Sequence, residues 1–232
     1  MEARQLLDQL LQSGKEAAEK GKEWIEEKAD IPKAGPEREA ALSNLAKGAA
    51  AGGLLALLLG TRGGRRLTGT AVKLGGLAAL GTLAYKAYQS WHAVKSTRPE
   101  EPGTPVDRLT GEAAEKRGQI LLKAMLAAAK ADGHIDDEER AKILDQAKTL
   151  GLKEETLRFI EEQLQTPVDA RAIAAEADSK ETAAEIYLLS RMVIDAANDQ
   201  EKRYLQQLAE ALDLERDFVV QLERQATEAA TD

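Results

Sequence analysis

The chain of 232 residues contains no cysteine and few aromatic side chains, and both shortages limit what it can be. Without cysteine there are no disulfides, no thiolate metal ligands and no cysteine nucleophile. The absence of cysteine does not indicate whether the protein is located in an oxidising or a reducing compartment. Aromatic residues make up 3% of the chain and hydrophobic residues 43%, so alanine and leucine supply most apolar positions. No run of alternating β-branched residues predicts a strand. The composition therefore favours an all-α protein with closely packed helices.

Motifs for catalysis and nucleotide binding are also missing. The two histidines, His92 and His134, are 42 residues apart without a cysteine, so neither a zinc site of the usual type nor a Ser–His–acid triad can be argued. The paired glycines match neither dinucleotide-binding nor phosphate-binding loops. The C-terminal part is too acidic, and the basic middle part too apolar, to suit nucleic acid. We expect neither an enzyme nor a nucleic-acid-binding protein.

Acidic residues are absent from one long stretch. The net charge is −8, yet residues 40–99 carry 8 basic side chains and no acidic one, whereas residues 107–232 carry 17 basic and 28 acidic ones. This contrast in charge, together with the positions of proline and glycine residues, predicts four segments. They are an amphipathic N-terminal helix (1–33), a Gly/Ala-rich basic membrane-associated segment (40–95), a Pro-rich linker (96–106) and a helical domain (107–232).

The apolar character of residues 40–95 predicts membrane association. Residues 67–85 form a run of 19 residues in which Lys73 carries the only charge, close to the roughly 20 residues that a spanning helix needs. Three interpretations stay open. They are a membrane helix over 67–85 with 42–61 at the interface, a helical hairpin through the bilayer, and a soluble or surface-lying Gly/Ala-rich segment.

The C-terminal domain contains an internal repeat. The acidic turn of residues 131–140 returns in residues 194–202, each time after an apolar helical run. Apolar positions that follow the turns match at a constant offset of 62, as Ile143 and Leu205 do. The repeat predicts a pseudo-duplicated bundle of two halves packed face to face. Helices are predicted near 108–131, 137–150, 153–165, 169–177, 180–196, 199–212 and 215–229.

The first acidic turn coincides with the second half of an EF-hand calcium loop, since Asp132, Asp136 and Glu139 fall at its ligand positions. The first half of that loop would use Ala128 and Lys130, which cannot ligate calcium, so a working EF-hand is excluded. The turn therefore offers half of a ligand set for a hard cation. The other carboxylates have to come from elsewhere in the chain.

The second acidic turn can supply them through Asp195 and Glu201. The spacing of Asp136 and Glu139 also fits a capping box, which explains the glutamate without a metal. Capping does not explain Asp132, which closes a helix at the end where the macrodipole disfavours negative charge. Three interpretations stay open: a divalent metal site, a structural network of caps and ion pairs, and an acidic surface that binds a protein.

A family resemblance joins these features. Residues 130–136, 185–190 and 193–195, with Glu201 and Tyr204, resemble the YebE-like family of bacterial inner-membrane proteins of undefined function. The C-terminal part of that family is in turn similar to the TerB domain of tellurite-resistance proteins. The resemblance implies an all-helical, pseudo-duplicated fold with an acidic metal-binding centre, associated with membrane-linked stress responses, and it implies no enzymatic activity.

Carried over to this chain, the metal-binding acids of the resemblance fall on Asp132, Glu139, Asp195 and Glu201. The second half has Asn198 where the first has Asp136, so one shared centre is expected rather than two. The sequence therefore predicts a TerB-like sensor or scaffold of the bacterial inner membrane, with its C-terminal domain on the cytoplasmic side. We expect it to bind a divalent cation, calcium rather than magnesium. The alternative is a scaffold that binds no metal and recruits an unknown protein partner to the membrane; the oligomeric state is left open.

Overall fold

The computed structural model describes residues 3–12, 77–95, 103–133, 135–194 and 199–231, and all regular secondary structure in these ranges is helical. The prediction of an all-α protein is confirmed to that extent. We number the helices in chain order. They are α1 (3–12), α2 (Leu77–Lys95), a 3-10 turn (Val106–Arg108), α3 (Gly111–Ala129), α4 (Asp137–Thr149), α5 (Glu154–Gln165), α6 (Ala170–Ala174), α7 (Lys180–Val193), α8 (Asp199–Ala211) and α9 (Arg216–Thr231).

The seven helices predicted for the C-terminal part are present as α3 to α9, with ends that differ by a few residues. Polar residues begin them as expected. Asp169 and Ser179 cap α6 and α7 by accepting hydrogen bonds from main-chain N–H groups of the first turn. Gly151, with a φ of 70°, ends α4 in the left-handed region that favours glycine.

Helices α3 and α7 form the centre of the bundle and pack against each other. Both are buried along most of their length, as Leu121 and Met125 on α3 and Ile186 and Leu189 on α7 illustrate. Helix α5 packs on α3, and α9 packs on α7, so each central helix has a companion from its own half. The first acidic turn follows α3, and the described residues of the second, 194 and 199–202, lie at the end of α7 and in α8.

Helices α1 and α2 belong to the same buried core as the C-terminal helices. Leu6, Leu7 and Leu10 of α1 are all 1% exposed or less. Helix α1 lies so close to α3 that a Cβ added at Gly118 would lie 2.7 Å from the Arg4 backbone. The buried core is therefore continuous across the segment boundaries that the composition suggested.

The predicted membrane helix over 67–85 is not confirmed. Residues 77–85 form the first half of α2, and its apolar side, including Leu80 and Ala84, is covered by α7 and α9. Within the described ranges, no helix combines the length and hydropathy needed to cross a bilayer. The interfacial segment 42–61, the remainder of the predicted span and the N-terminal helix beyond residue 12 lie outside the described residues.

The spacing of the helices follows the sequence repeat. Helices α4 and α8 have 13 residues each, and their first residues, Asp137 and Asp199, are 62 positions apart. Their neighbours differ, because α4 packs on α5 whereas α8 packs on α6 and α7. Helices α4 and α8 therefore agree in length and spacing with the sequence repeat and differ in their packing.

Candidate functional site

The first acidic turn places one carboxylate inside the protein. Helix α3 ends at Ala129, and Gly133, with a φ of 80°, reverses the chain by donating its N–H to the Lys130 carbonyl at 2.9 Å. Asp132 sits within this turn and is only 4% exposed. A carboxylate at a helix C-terminus is disfavoured by the macrodipole and by loss of hydration. The sequence therefore identified a position with an unusual environment.

Asp136 and Glu139 form the predicted capping box at the start of α4. The Asp136 carboxylate accepts a hydrogen bond from the Glu139 N–H at 2.8 Å, and the Asp136 N–H donates to the Glu139 carboxylate at 3.2 Å. This confirms a structural role for both residues, since the box satisfies two main-chain donors. Asp136 itself is exposed.

The basic residues next to the turns form ion pairs with the first residues of the helices that follow. Arg140 pairs with Asp137 at 2.7 Å, and Lys202 pairs with Asp199 at 3.4 Å, each within the first turn of its own helix. These two pairs occupy equivalent positions of the repeat.

The second acidic turn is described only in part. Glu201, in the first turn of α8, is 5% exposed, while Asp195 and His134 lie outside the described residues. Asp132 and Glu201 each have interaction partners within the protein. The part of the chain that the structure describes contains no group of three or more acidic or histidine side chains arranged to hold a metal ion. The predicted ligand set is therefore untested, because it needs Asp195.

A second polar site lies between α3 and α7, and the sequence reasoning missed it. Arg117 of α3 donates to the carboxylate of Glu185 on α7 at 2.7 Å, and these residues are 6% and 0% exposed. The other Glu185 oxygen accepts the N–H of Val106 in the 3-10 turn, also at 2.7 Å. Arg117 reaches Asp178 as well, at 3.2 Å. The Arg117 guanidinium thus links α3 to α7 and to Asp178, which lies in the loop before α7.

Glu181 lies one turn before Glu185 on the same face of α7 and is 1% exposed. Neither of its carboxylate oxygens has a hydrogen-bond partner in the described protein. Burial, with the negative charge of Glu185, raises the pKa of Glu181 to about 8. Burial also raises the pKa of Glu185, and Arg117 opposes that effect. Two acids at helical spacing within an otherwise apolar run were the sequence signal for this site.

The comparisons with known proteins place the chain in a family without assigning it an activity. A family model described as "Protein of unknown function (DUF533)" matches residues 44–226. An "Uncharacterized protein in ampR 5'region" of Yersinia enterocolitica is 34% identical over 103 residues, which cover 44% of this chain and 74% of that relative. No solved structure matches the chain. The resemblance to YebE-like proteins is consistent with this result, and the chain belongs to the DUF533 family.

Proposed function

We propose that this chain is a membrane-associated, cation-responsive scaffold whose residues 107–232 form a pseudo-duplicated, TerB-like bundle. In this proposal one divalent cation binds between the two acidic turns. Asp132, Asp195 and Glu201 supply oxygen ligands, and the capping box of Asp136 and Glu139 holds the first turn in shape. Calcium is favoured over magnesium because it accepts irregular sets of oxygen ligands.

The observation that carries this proposal is the burial of one acid from each acidic turn, Asp132 at 4% exposure and Glu201 at 5%. A buried carboxylate costs free energy unless donors or a cation compensate for its lost hydration. Asp132 and Glu201 both already make contacts within the protein. A bound cation would add coordination to these contacts and would join the α3–α4 turn to the α7–α8 turn.

The inference of a duplicated bundle is supported by three features of the chain. They are the constant offset of 62 in the sequence, the equal lengths of α4 and α8, and the equivalent ion pairs at the start of both helices. If the halves are related in this way, Asp132 and Asp195 end equivalent helices. Cation binding would then draw the ends of α3 and α7 together, which is a change that a partner can detect.

Thermal melting with calcium and with a chelator tests the cation. A ligand that binds only the folded chain stabilises it by about 2.7 kcal/mol at a hundredfold excess over Kd, which corresponds to a rise in Tm of roughly 5–10 °C for a chain of this size. We expect this rise in the wild type and its loss in Asp132→Asn and in Glu201→Gln. Glu161→Gln, which alters an exposed acid on α5, is the matched control and should keep it.

A Tm that is indifferent to calcium and chelator would favour the alternative, a metal-free acidic scaffold. Asp137 and Glu138, whose side chains are 93% and 78% exposed, present negative charge at the start of α4 and support that alternative. Binding of a basic partner peptide that weakens with added salt, and in the Asp137→Asn/Glu138→Gln variant, would establish it.

Membrane association is the other half of the proposal. Its support is the sequence of residues 40–76, where Arg62, Arg65 and Arg66 lie between apolar runs and no acidic residue is present. We propose that this segment attaches the bundle to the cytoplasmic face of the bacterial inner membrane, in a response to envelope or metal stress. Co-sedimentation with anionic phospholipid vesicles should be strong for the wild type and weak when the three arginines are replaced by glutamine. Equal sedimentation of both proteins would contradict it.

A further inference from the structure

Several elements meet around Glu181 of α7. The Val106 N–H of the 3-10 turn donates to Glu185, one helical turn further along α7. Helix α2 crosses the same turn so closely that a Cβ added at Gly81 would lie 2.5 Å from the Asp107 carboxylate. On the other side, a Cβ added at Gly103 would lie 3.3 Å from the Glu181 side chain. The position of α2 relative to α7 therefore depends on how these groups pack.

Carboxylates outnumber buried cations at the joint where α2, the 3-10 turn and α7 meet. The negative charges of Glu185 and Asp107 both act on Glu181, and Arg117 of α3 is a buried cation that acts on Glu181 and Glu185. Arg117 is already engaged by Glu185 and Asp178. Arg108 of the 3-10 turn also acts on Glu181, but it is exposed and its guanidinium lies over the Tyr85 ring of α2 at 5.7 Å.

Of these three carboxylates, Glu181 has the least access to hydrogen-bond donors. Its two oxygens, and Oδ1 of Asp107, are buried without a hydrogen-bond partner in the described part of the chain. An ionised carboxylate in such a place has neither water nor donors to stabilise it. A protonated carboxyl is neutral and packs there at a much smaller cost.

We propose that Glu181 is a proton-controlled latch that holds α2 and the 3-10 turn on α7. With the proton bound, the joint is neutral at Glu181 and the elements stay packed. When the proton leaves, a third negative charge appears beside Glu185 and Asp107, and the turn and α2 loosen from α7. Because α2 ends the segment of residues 40–95, the latch makes the attachment of that segment to the bundle depend on pH.

The direction of the effect follows from linkage. Burial raises the pKa of Glu181 from 4.5 to about 8, so the packed state holds a proton that a solvent-exposed carboxyl would release. Packing is therefore complete at low pH, weakens as the pH rises from 4.5 towards 8, and reaches its weakest level above 8. The latch is independent of the proposed cation centre, whose ligands lie at the acidic turns.

Tryptophan fluorescence can test this directly. Trp91 of α2 stacks on Phe218 of α9 with ring centroids 5.0 Å apart, so its emission reports the docking of α2. The chain has one other tryptophan, Trp24, and a full-length Trp24→Phe background leaves Trp91 as the sole probe. A titration from pH 4.5 to 9 should show a red shift of the emission that develops between pH 4.5 and 8 and changes no further above 8.

Three variants in the Trp24→Phe background decide the source of that transition. Glu181→Gln should abolish it and keep the low-pH spectrum, while the exposed-acid control Glu161→Gln should leave it unchanged. Asp107→Asn should reduce the red shift at high pH, since the Asp107 charge raises the Glu181 pKa. A transition that persists in Glu181→Gln, a background protein without any transition, or an undiminished red shift in Asp107→Asn would overturn the proposal. The Asp107→Asn arm remains decisive if Glu181→Gln does not fold.

Discussion

Replacing Arg117 with methionine tests whether the buried ion pair between α3 and α7 organises the bundle. The substitution keeps much of the apolar stem and removes the guanidinium, so Glu185, at 0% exposure, loses its hydrogen-bonded cation at 2.7 Å. Removing one partner of a buried pair costs about 3–5 kcal/mol, because the remaining charge is left without compensation. That is a large fraction of the roughly 5–15 kcal/mol that stabilises a typical domain.

The cost should depend on pH in a defined direction. Arg117 opposes the burial that raises the pKa of Glu185, so its removal raises that pKa further. The folded variant then holds a proton that the unfolded chain releases, and its stability falls as the pH rises above 4.5. We expect a large loss at pH 8 and a smaller one at pH 5, measured by urea unfolding followed by circular dichroism.

The double variant Arg117→Met/Glu185→Gln separates loss of the pair from loss of packing. Glutamine keeps an oxygen that can accept the Val106 N–H, so the double variant should lie within about 2 kcal/mol of the wild type. Arg158→Met removes an exposed pair with Glu154 and should cost about 0–1 kcal/mol. A loss below about 1 kcal/mol for Arg117→Met at pH 8 would refute the reasoning, and so would a double variant no more stable than the single.

Three further substitutions test other parts of the structure. Gly118→Ala should lower the free energy of unfolding by about 1–2 kcal/mol because the added Cβ meets the α1 backbone. In a chain without residues 1–12 the same substitution should instead stabilise α3. Stabilisation of the full chain by Gly118→Ala would contradict the close packing of α1 on α3. Asp136→Ala should cost about 1 kcal/mol in urea unfolding through loss of the cap, and it should weaken the calcium response because the cap holds the turn that carries Asp132. The stability of Glu181→Gln relative to the wild type should rise between pH 5 and pH 8 by at most about 4 kcal/mol. An unchanged difference would show that Glu181 does not titrate in this range.

The helices of residues 107–232 were predictable because their signals are local. Capping residues such as Asp136 and Ser179, and a glycine such as Gly151 after the last turn, act within a few positions of the helix ends they define. Apolar periodicity then gives the buried face without knowledge of what covers it. The same reasoning identified Asp132 as an acid at an unfavourable helix end, and the structure buries it.

Other features depend on distant parts of the chain. Leu80, Ala84 and Ala87 suit a lipid interface as well as a close-packed helix interface, so hydropathy alone did not reveal that α7 and α9 cover them. The partnership of Arg117 with Glu185 joins positions 68 residues apart. Nothing in the local pattern around either residue identifies the other, which is why this polar site was missed.

Titration calorimetry of the full chain with calcium tests the proposed cation centre most directly. We expect one ion per chain, because the two acidic turns contribute to a single site, and loss of the binding heat in both Asp132→Asn and Asp195→Asn. The exposed-acid variant Glu161→Gln should bind as the wild type does. Two ions per chain, no binding heat in the wild type, or heat that persists when both aspartates are replaced would contradict a shared centre.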